Sequence, residues 1–587
     1  MTEYKKFCKF EYKNNFEKLF ISILREKANP DTSYLSLPSS SCFTGCIKEI
    51  LNCLKKERDG IINSDNSNHL IANMYSWMSN ETLIREYDYL LYSQLLQTLK
   101  SYSEGQKVSK TEKYAFFEYL NKSKTYKYTL KLYDKIIELY EKDVCDETSY
   151  KYINIFINEL LSDGINYSFL WFIYNCYIDN KFSDFKSFVE YLFYGNKDTY
   201  DVFIPIENFS TSDNEIFAKK RQKIEKIGDK FYCKVYANNT IDFHFLIKEN
   251  IVRIESLFNI LRFYQNSSIR FSFSLPIIIK SKYFSQEFEI LMSDILCYRS
   301  KSYGKNFLIG SVEALEKVKD EDKNSYHRLL NVISYAEKDQ DIINPSSYVD
   351  NWISLETLIS MGERGKGYDA VSNIIPKMLS AKFIFDDACQ KYRDIRIALS
   401  RKNINVENLE DFIKKSNQSA DFVKQIEDPY VRITATLLSK QFSSVYNLKQ
   451  LFETVEKELS IDLLRIYILR NEYVHSSNLQ AFSSMHPYKL KHILSASIDE
   501  FFRMLSNRIS RDVSDYGIVF DAFSEIIYKY DVRITAFTSL LERKKYLNSS
   551  VVVHTDIEDL NIPLETFVYN VLKSNSGLFR KYDVDIS

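Results

Sequence analysis

The sequence predicts a mainly α-helical protein with an α+β region in its middle, and three observations lead there. Apolar residues recur with the 3.6-residue period of an amphipathic helix through most of residues 1–199 and again after 345. Gly and Pro, which interrupt helices, are scarce, at 13 and 9 in 587 residues. Period-two alternation, the mark of a half-buried strand, is concentrated in residues 200–300.

In the N-terminal region, 1–199, the segments Phe16–Lys27, Ile47–Glu57, Glu81–Leu99, Glu112–Asn121, Thr129–Glu141 and Tyr150–Leu161 read as helices. Their aromatic stripes, with Trp77 and Trp171, read as core. The pattern changes at 200. Tyr200–Ile206 reads as a strand, Phe231–Tyr236 and Thr240–Phe245 flank Ala237-Asn238-Asn239 as a hairpin, and Arg270–Leu275 alternates. Ile251–Tyr264 between them is an amphipathic helix, so 200–300 forms an α+β domain. Lys219-Lys220-Arg221-Gln222-Lys223, the densest basic run, reads as a solvated helix face. A polar connecting segment, 301–345, leads to a helical bundle over 346–510. An α/β extension over 511–587 follows, with helices Val519–Tyr530 and Ile534–Tyr546 and a strand Ser550–Thr555.

Composition limits the function classes. Lys plus Arg number 78 against 79 Asp plus Glu, a net charge of −1, which argues against a protein that coats nucleic acid by bulk charge and leaves room for a local basic groove. The start, Met1–Phe10, lacks the apolar stretch of a secretory signal, and the longest apolar run, Phe169–Ile178, is too short to span a bilayer. The expectation is a cytoplasmic protein without a membrane partner. Nine scattered cysteines fit reduced core thiols. Cys42, Cys46 and Cys53 lack a Cys-x-x-Cys pair and a close histidine, so burial is expected there and no metal or other cofactor is called for.

One segment carries the pattern of chemistry. The apolar stretch Ile461–Leu469 runs into Arg470-Asn471-Glu472-Tyr473-Val474-His475. On a helix, Asn471 and His475 stand one turn apart on the same face with Arg470 beside them, so the three can converge on one anion. A guanidinium binds phosphate through a planar fork and an imidazole titrates near neutrality. Together they suit metal-free cleavage of RNA, whose 2′-hydroxyl is a built-in nucleophile.

Arg470-Asn471-x-x-x-His475 resembles the Arg-polar-x-x-x-His signature of HEPN domains, helical bundles found in many bacterial toxins and antiphage RNases. Asn351-Trp352-Ile353-Ser354-Leu355-Glu356-Thr357-Leu358 resembles the Trp-x-x-Leu-Glu first helix of the Apea-like HEPN group. The resemblance covers roughly residues 346–510, under a third of the chain. It implies a homodimer whose motif helices face each other and gather two copies of Arg470 and His475 around one phosphate. His475 would be the general acid or base, Arg470 would stabilise the phosphorane, and Asn471 would position the motif. The products would be a 2′,3′-cyclic phosphate and a 5′-hydroxyl, with no metal.

The implied role is an abortive-infection endoribonuclease acting on tRNA, mRNA or ribosomal RNA. Residues 1–345 would then serve as sensor or restraint, answering a phage-derived or nucleotide trigger. A non-catalytic HEPN-like RNA-binding or assembly module is the alternative, with Arg470, Asn471 and His475 serving core packing, as a satisfied polar network, or phosphate recognition.

Supporting residues follow from position. Tyr348, Trp352, Leu355 and Ile359 share a helical face and Glu356 lies on or beside it, so Glu356 is expected to pair with Arg470. Gly362, Gly365 and Gly367 mark a turn between helices, with Arg364 and Lys366 as candidate contacts to the RNA backbone. His244, His327, His492 and His554 read as structural, and His486 is expected in a loop after the motif helix.

Overall fold

The structure is a computed structural model that describes residues 10–534 apart from several stretches, chiefly 195–198, 210–222, 239–249, 264–267, 283–286, 292–304, 338–344, 362–366, 477–484 and 510–518; residues 1–9 and 535–587 also lie outside the description. It is mainly helical, with one antiparallel sheet in the middle of the chain.

Among the described residues ten α-helices precede the sheet: α1 (Asn15–Ala28), α2 (Phe43–Arg58), α3 (Ser64–Met78), α4 (Leu83–Tyr87), α5 (Tyr89–Ser103), α6 (Lys110–Ser123), α7 (Thr125–Glu141), α8 (Glu147–Ser162), α9 (Tyr167–Ile178) and α10 (Phe185–Tyr194). Asn14, Asn63, Asp88, Ser109 and Asp146 cap α1, α3, α5, α6 and α8, each side chain accepting a backbone N–H of the first turn. One cap alters an expectation. Glu81–Leu99 is not a single helix, because Asp88 accepts the Leu91 N–H at 2.9 Å and starts α5 one residue after α4 ends.

The sheet has strands β1 (Thr199–Glu207), β2 (Lys223–Ile227), β3 (Lys230–Asn238), β4 (Arg270–Phe271), β5 (Pro276–Ser281) and β6 (Glu287–Leu291). Their order is β2-β3-β1-β5-β6, with β4 on the end of β1, and every pairing is antiparallel. β3 forms its hairpin with the strand before it. Ile227 pairs with Lys230 across Gly228-Asp229, and Gly228 takes φ +60°, the conformation a two-residue turn needs to follow strand twist. The expected partner Thr240–Phe245 lies outside the described residues. Lys223, assigned above to a helix face, opens β2, an edge strand whose lysines discourage pairing with another sheet. Arg270–Leu275 is strand only at Arg270–Phe271, and the apolar run after Pro276 makes β5 instead.

After the sheet come α11 (Lys305–Glu321), α12 (Lys323–Glu337), α13 (Pro345–Ile359), α14 (Tyr368–Ser400), α15 (Leu409–Gln418), α16 (Ala420–Lys424), α17 (Pro429–Gln441), α18 (Val445–Ser476) and α19 (His486–Ile509). Past 510, residues 522–528 are helical and bury Ala522, Phe523 and Ile526, while Ser550–Thr555 lies outside the described residues.

Two large apolar cores organise the described residues, beside a small cluster of Phe203, Tyr232 and Ile278 on the sheet. The first joins α1–α10 to one face of the sheet, through Tyr200, Val202, Ile204, Ile277 and Ile279. The second gathers α11–α19 around Trp352, Leu379, Phe412, Phe452 and Phe501. α18 belongs to both: Leu464 and Ile468 lie in the first core, and Leu459, Leu463, Ile466 and Leu469 in the second. A helix that is apolar on two sides is a buried one.

Candidate active site

α18 begins where Ser444 Oγ accepts the Asn447 N–H at 3.1 Å and runs 32 residues, so Arg470, Asn471 and His475 fall in its last two turns. Arg470 Nη1 donates to Asn471 Oδ1 at 2.9 Å, and Arg470 Nε is buried with no hydrogen-bond partner among the described residues. Asn471 is 6% exposed. Glu472, on the next position round the helix, is tied to the N-terminal region by the buried Lys56 ammonium of α2 at 2.5 Å. Val474 is exposed, and His475 is helical in the final turn, its side chain lying outside the described residues.

The tryptophan helix α13 packs directly before this motif. Tyr348 donates its hydroxyl to the Ile466 carbonyl at 2.9 Å, and the fully buried Trp352 meets Tyr467 with ring centroids 5.8 Å apart. Tyr467 in turn stacks on Tyr368 of α14 at 4.8 Å. The two segments singled out in the sequence are therefore neighbours in space, 118 residues apart at the Tyr348–Ile466 bond.

Glu356 departs from expectation. It is half-buried on α13 and forms no ion pair with Arg470 among the described residues; the guanidinium turns along its own helix to Asn471 instead. Arg364 and Lys366 lie outside the described residues, between the end of α13 and Gly367, which takes φ +71° before α14. His486 is not in a loop. It opens α19, half-buried, and desolvation together with the nearby Arg465 guanidinium lowers its pKa to about 3, so its ring is neutral. Cys42, Cys46 and Cys53 are buried thiols whose pKa values burial raises. Among the described residues no group of His, Cys, Asp and Glu has a metal-binding arrangement, and no helix is long and apolar enough to cross a membrane.

Beside Asn471 opens a groove of about 950 Å³, bounded by Asn63, Asp65 and His69 of the N-terminal region and by Tyr368, Asp369 and Tyr467. Its described lining carries two carboxylates and no lysine or arginine. Such a wall can hydrogen-bond or stack on a base but cannot neutralise a phosphate backbone.

Sequence reasoning passed over a second polar cluster on the same helix. Asp462 accepts the Tyr34 hydroxyl at 2.6 Å, the Lys489 ammonium at 2.6 Å and Arg465 Nη1 at 3.2 Å, while Arg465 Nε reaches Glu49 at 3.0 Å. Asp462, Arg465 and Lys489 are each at most 6% exposed. Burial alone would raise the Asp462 carboxyl, and Lys489 and Arg465 overcome it, bringing its pKa down to about 2. The signal was present in the sequence: Asp462 and Arg465 interrupt the apolar stretch Ile461–Leu469, three residues apart on one face.

Comparison of the chain with protein-family models, curated proteins and solved structures finds no match.

Proposed function

We propose that the chain is a metal-independent endoribonuclease effector of the HEPN type, acting in antiphage defence. In this reading two copies pair through their α18 ends and present Arg470 and His475 to one RNA phosphate. The observation that carries it is the packing of the Trp352 helix against the turn that leads into Arg470-Asn471. His475 would move the proton at the 2′-hydroxyl or the 5′-leaving oxygen, a contribution of about 10²–10⁴-fold. Arg470, hydrogen-bonded to Asn471, would stabilise the crowded anion, a contribution of about 10²–10³-fold. The product would be a 2′,3′-cyclic phosphate. With no cation in the described lining of the groove beside Asn471, the reading draws its phosphate contacts from the second copy and from Arg364 and Lys366. The Lys56–Glu472 bond supports the further reading that the region before residue 345 restrains the motif helix.

The alternative, a non-catalytic HEPN-like RNA-binding or assembly module, is favoured by a specific observation: Asn471 is buried and Arg470 bonds within its own chain, as in a structural polar network. Expression in a bacterial host separates the two. Under the nuclease reading Lys56→Met, which loosens the restraint, arrests growth at least as strongly as the wild type, and Arg470→Ala and His475→Ala in that background are tolerated while remaining folded and dimeric. Toxicity that survives both substitutions, or disappears only with loss of folding, rejects the nuclease.

A further inference from the structure

Between the end of α1, the loop before α2 and the middle of α18 lies a cavity of about 140 Å³. Three cationic side chains reach it: Lys27 from the last turn of α1, Arg465 from α18 and Lys489 from α19. Two of them are committed, Lys489 to Asp462 and Arg465 to Asp462 and Glu49. Lys27 is different. It makes no hydrogen bond or ion pair among the described residues, and its pKa is lowered by burial, which outweighs the opposing Glu26 and Asp387 carboxylates and is reinforced by the Lys391 and Lys489 ammonium groups. An ammonium partly drawn out of water without a hydrogen-bonded counter-ion is destabilised, and an anion bound directly to it would relieve that.

The opposite wall supplies neutral donors. Ser39 Oγ accepts the Ser41 N–H at 3.1 Å and Ser41 Oγ accepts from Asn73 Nδ2 at 3.5 Å, so both hydroxyl protons point elsewhere and can be given to a ligand. Glu458 also lines the cavity, at the side open to solvent, where desolvation raises its pKa against the nearby Lys489 and Lys27 ammonium groups. The volume is well below the roughly 300 Å³ at which pockets for drug-sized molecules begin, and suits a compact group of a few atoms.

We propose that this cavity is a binding site for a phosphate group, held by the Lys27 ammonium, the Lys489 ammonium and the hydroxyls of Ser39 and Ser41. The site is independent of any nuclease activity. Its ligand joins α1 and the loop before α2 to α19, beside the helix that carries Arg470 and Asn471 and across the boundary of the two cores.

Isothermal titration of the full chain with inorganic phosphate, and separately with adenosine 5′-monophosphate, at constant ionic strength set with chloride, tests the assignment. Saturable binding at one site per chain is expected, weakened at least about tenfold in Lys27→Met and retained in Lys27→Arg. Lys27 has no ion pair to lose, so Lys27→Met should melt at or above the wild-type temperature without phosphate. Saturation by inorganic phosphate alone identifies a free anion as the ligand, and tighter saturation by the nucleotide identifies a phosphate ester. Absence of saturation with either at millimolar concentration, or equal binding by folded Lys27→Met, overturns the proposal.

Discussion

Replacing Asp462 by asparagine removes one negative charge from a site where two cations and a phenol converge on it, at 2.6 Å from Lys489, 3.2 Å from Arg465 and 2.6 Å from Tyr34. Removing one partner of a buried pair costs about 3–5 kcal/mol, because the remaining charge stays buried. Arg465 keeps Glu49, so the loss should fall near the lower end, about 3 kcal/mol. A second figure comes from the pH dependence. The Asp462 carboxyl drops from 3.8 to about 2 on folding, and that difference contributes about 2 kcal/mol. Because the folded value is the lower one, this contribution is complete above pH 4 and fades as pH falls towards 2. The assay is urea unfolding of wild type and Asp462→Asn followed by circular dichroism at pH 7 and at steps down to pH 3, comparing midpoints since a chain of this length need not unfold in one step. The variant should unfold at clearly lower urea at pH 7, and the gap should narrow towards pH 3. A midpoint change equivalent to less than about 1 kcal/mol at pH 7, or a gap that stays constant, refutes the network's role.

Three further outcomes follow from the geometry. Lys56→Met removes the ammonium that ties the half-buried Glu472 carboxylate to α2, so hydrogen exchange over residues 465–476 should quicken relative to α8; unchanged protection would mean that α2 does not brace the motif turn. Trp352→Ala empties a fully buried site against Tyr467 and should cost about 3–5 kcal/mol, read as a lower urea midpoint; a loss below about 1 kcal/mol would mean that α13 does not support α18. His486 is folded in its neutral form, its pKa taken from 6.5 to about 3 by burial and then by Arg465, so its contribution is whole above pH 6.5 and declines below it. His486→Gln should therefore flatten the wild-type stability loss between pH 6.5 and 4, above the Asp462 window, and an unaltered slope there would show that the imidazole does not titrate on unfolding.

The elements legible in the sequence are those set by near neighbours. Phe16–Lys27 and Thr129–Glu141 differ from α1 and α7 by a few residues, because periodic apolar side chains and adjacent caps such as Asn14 determine them locally. The break at Asp88 was readable in principle, since an aspartate three residues before Leu91 is a cap, but the apolar pattern on both sides masked it. Strand pairing was less accessible. The turn expected at Ala237-Asn238-Asn239 runs into residues outside the description, while the described hairpin turns at Gly228-Asp229 and pairs the Phe231–Tyr236 strand with the charged segment Lys223–Ile227, which lacks a strand's usual apolar alternation. At the candidate site, Arg470, Asn471 and the Trp352 helix were found from spacing, and their proximity is a tertiary fact consistent with it. The Glu356 pairing failed because a flexible guanidinium has a nearer acceptor on its own helix. Of the Asp462 cluster the Asp462–Arg465 pair is legible as two charges three residues apart in an apolar stretch, whereas Tyr34, 428 residues away from Asp462, lies beyond the reach of any sequence pattern.

The claim that the Arg470–His475 segment is a nuclease centre is tested most directly by incubating purified wild type and His475→Ala with total cellular RNA in EDTA and mapping the new ends. The account predicts fragments with 2′,3′-cyclic phosphate and 5′-hydroxyl ends from the wild type and none from the folded variant. Cleavage that requires a divalent ion, or that His475→Ala performs equally well, would contradict it.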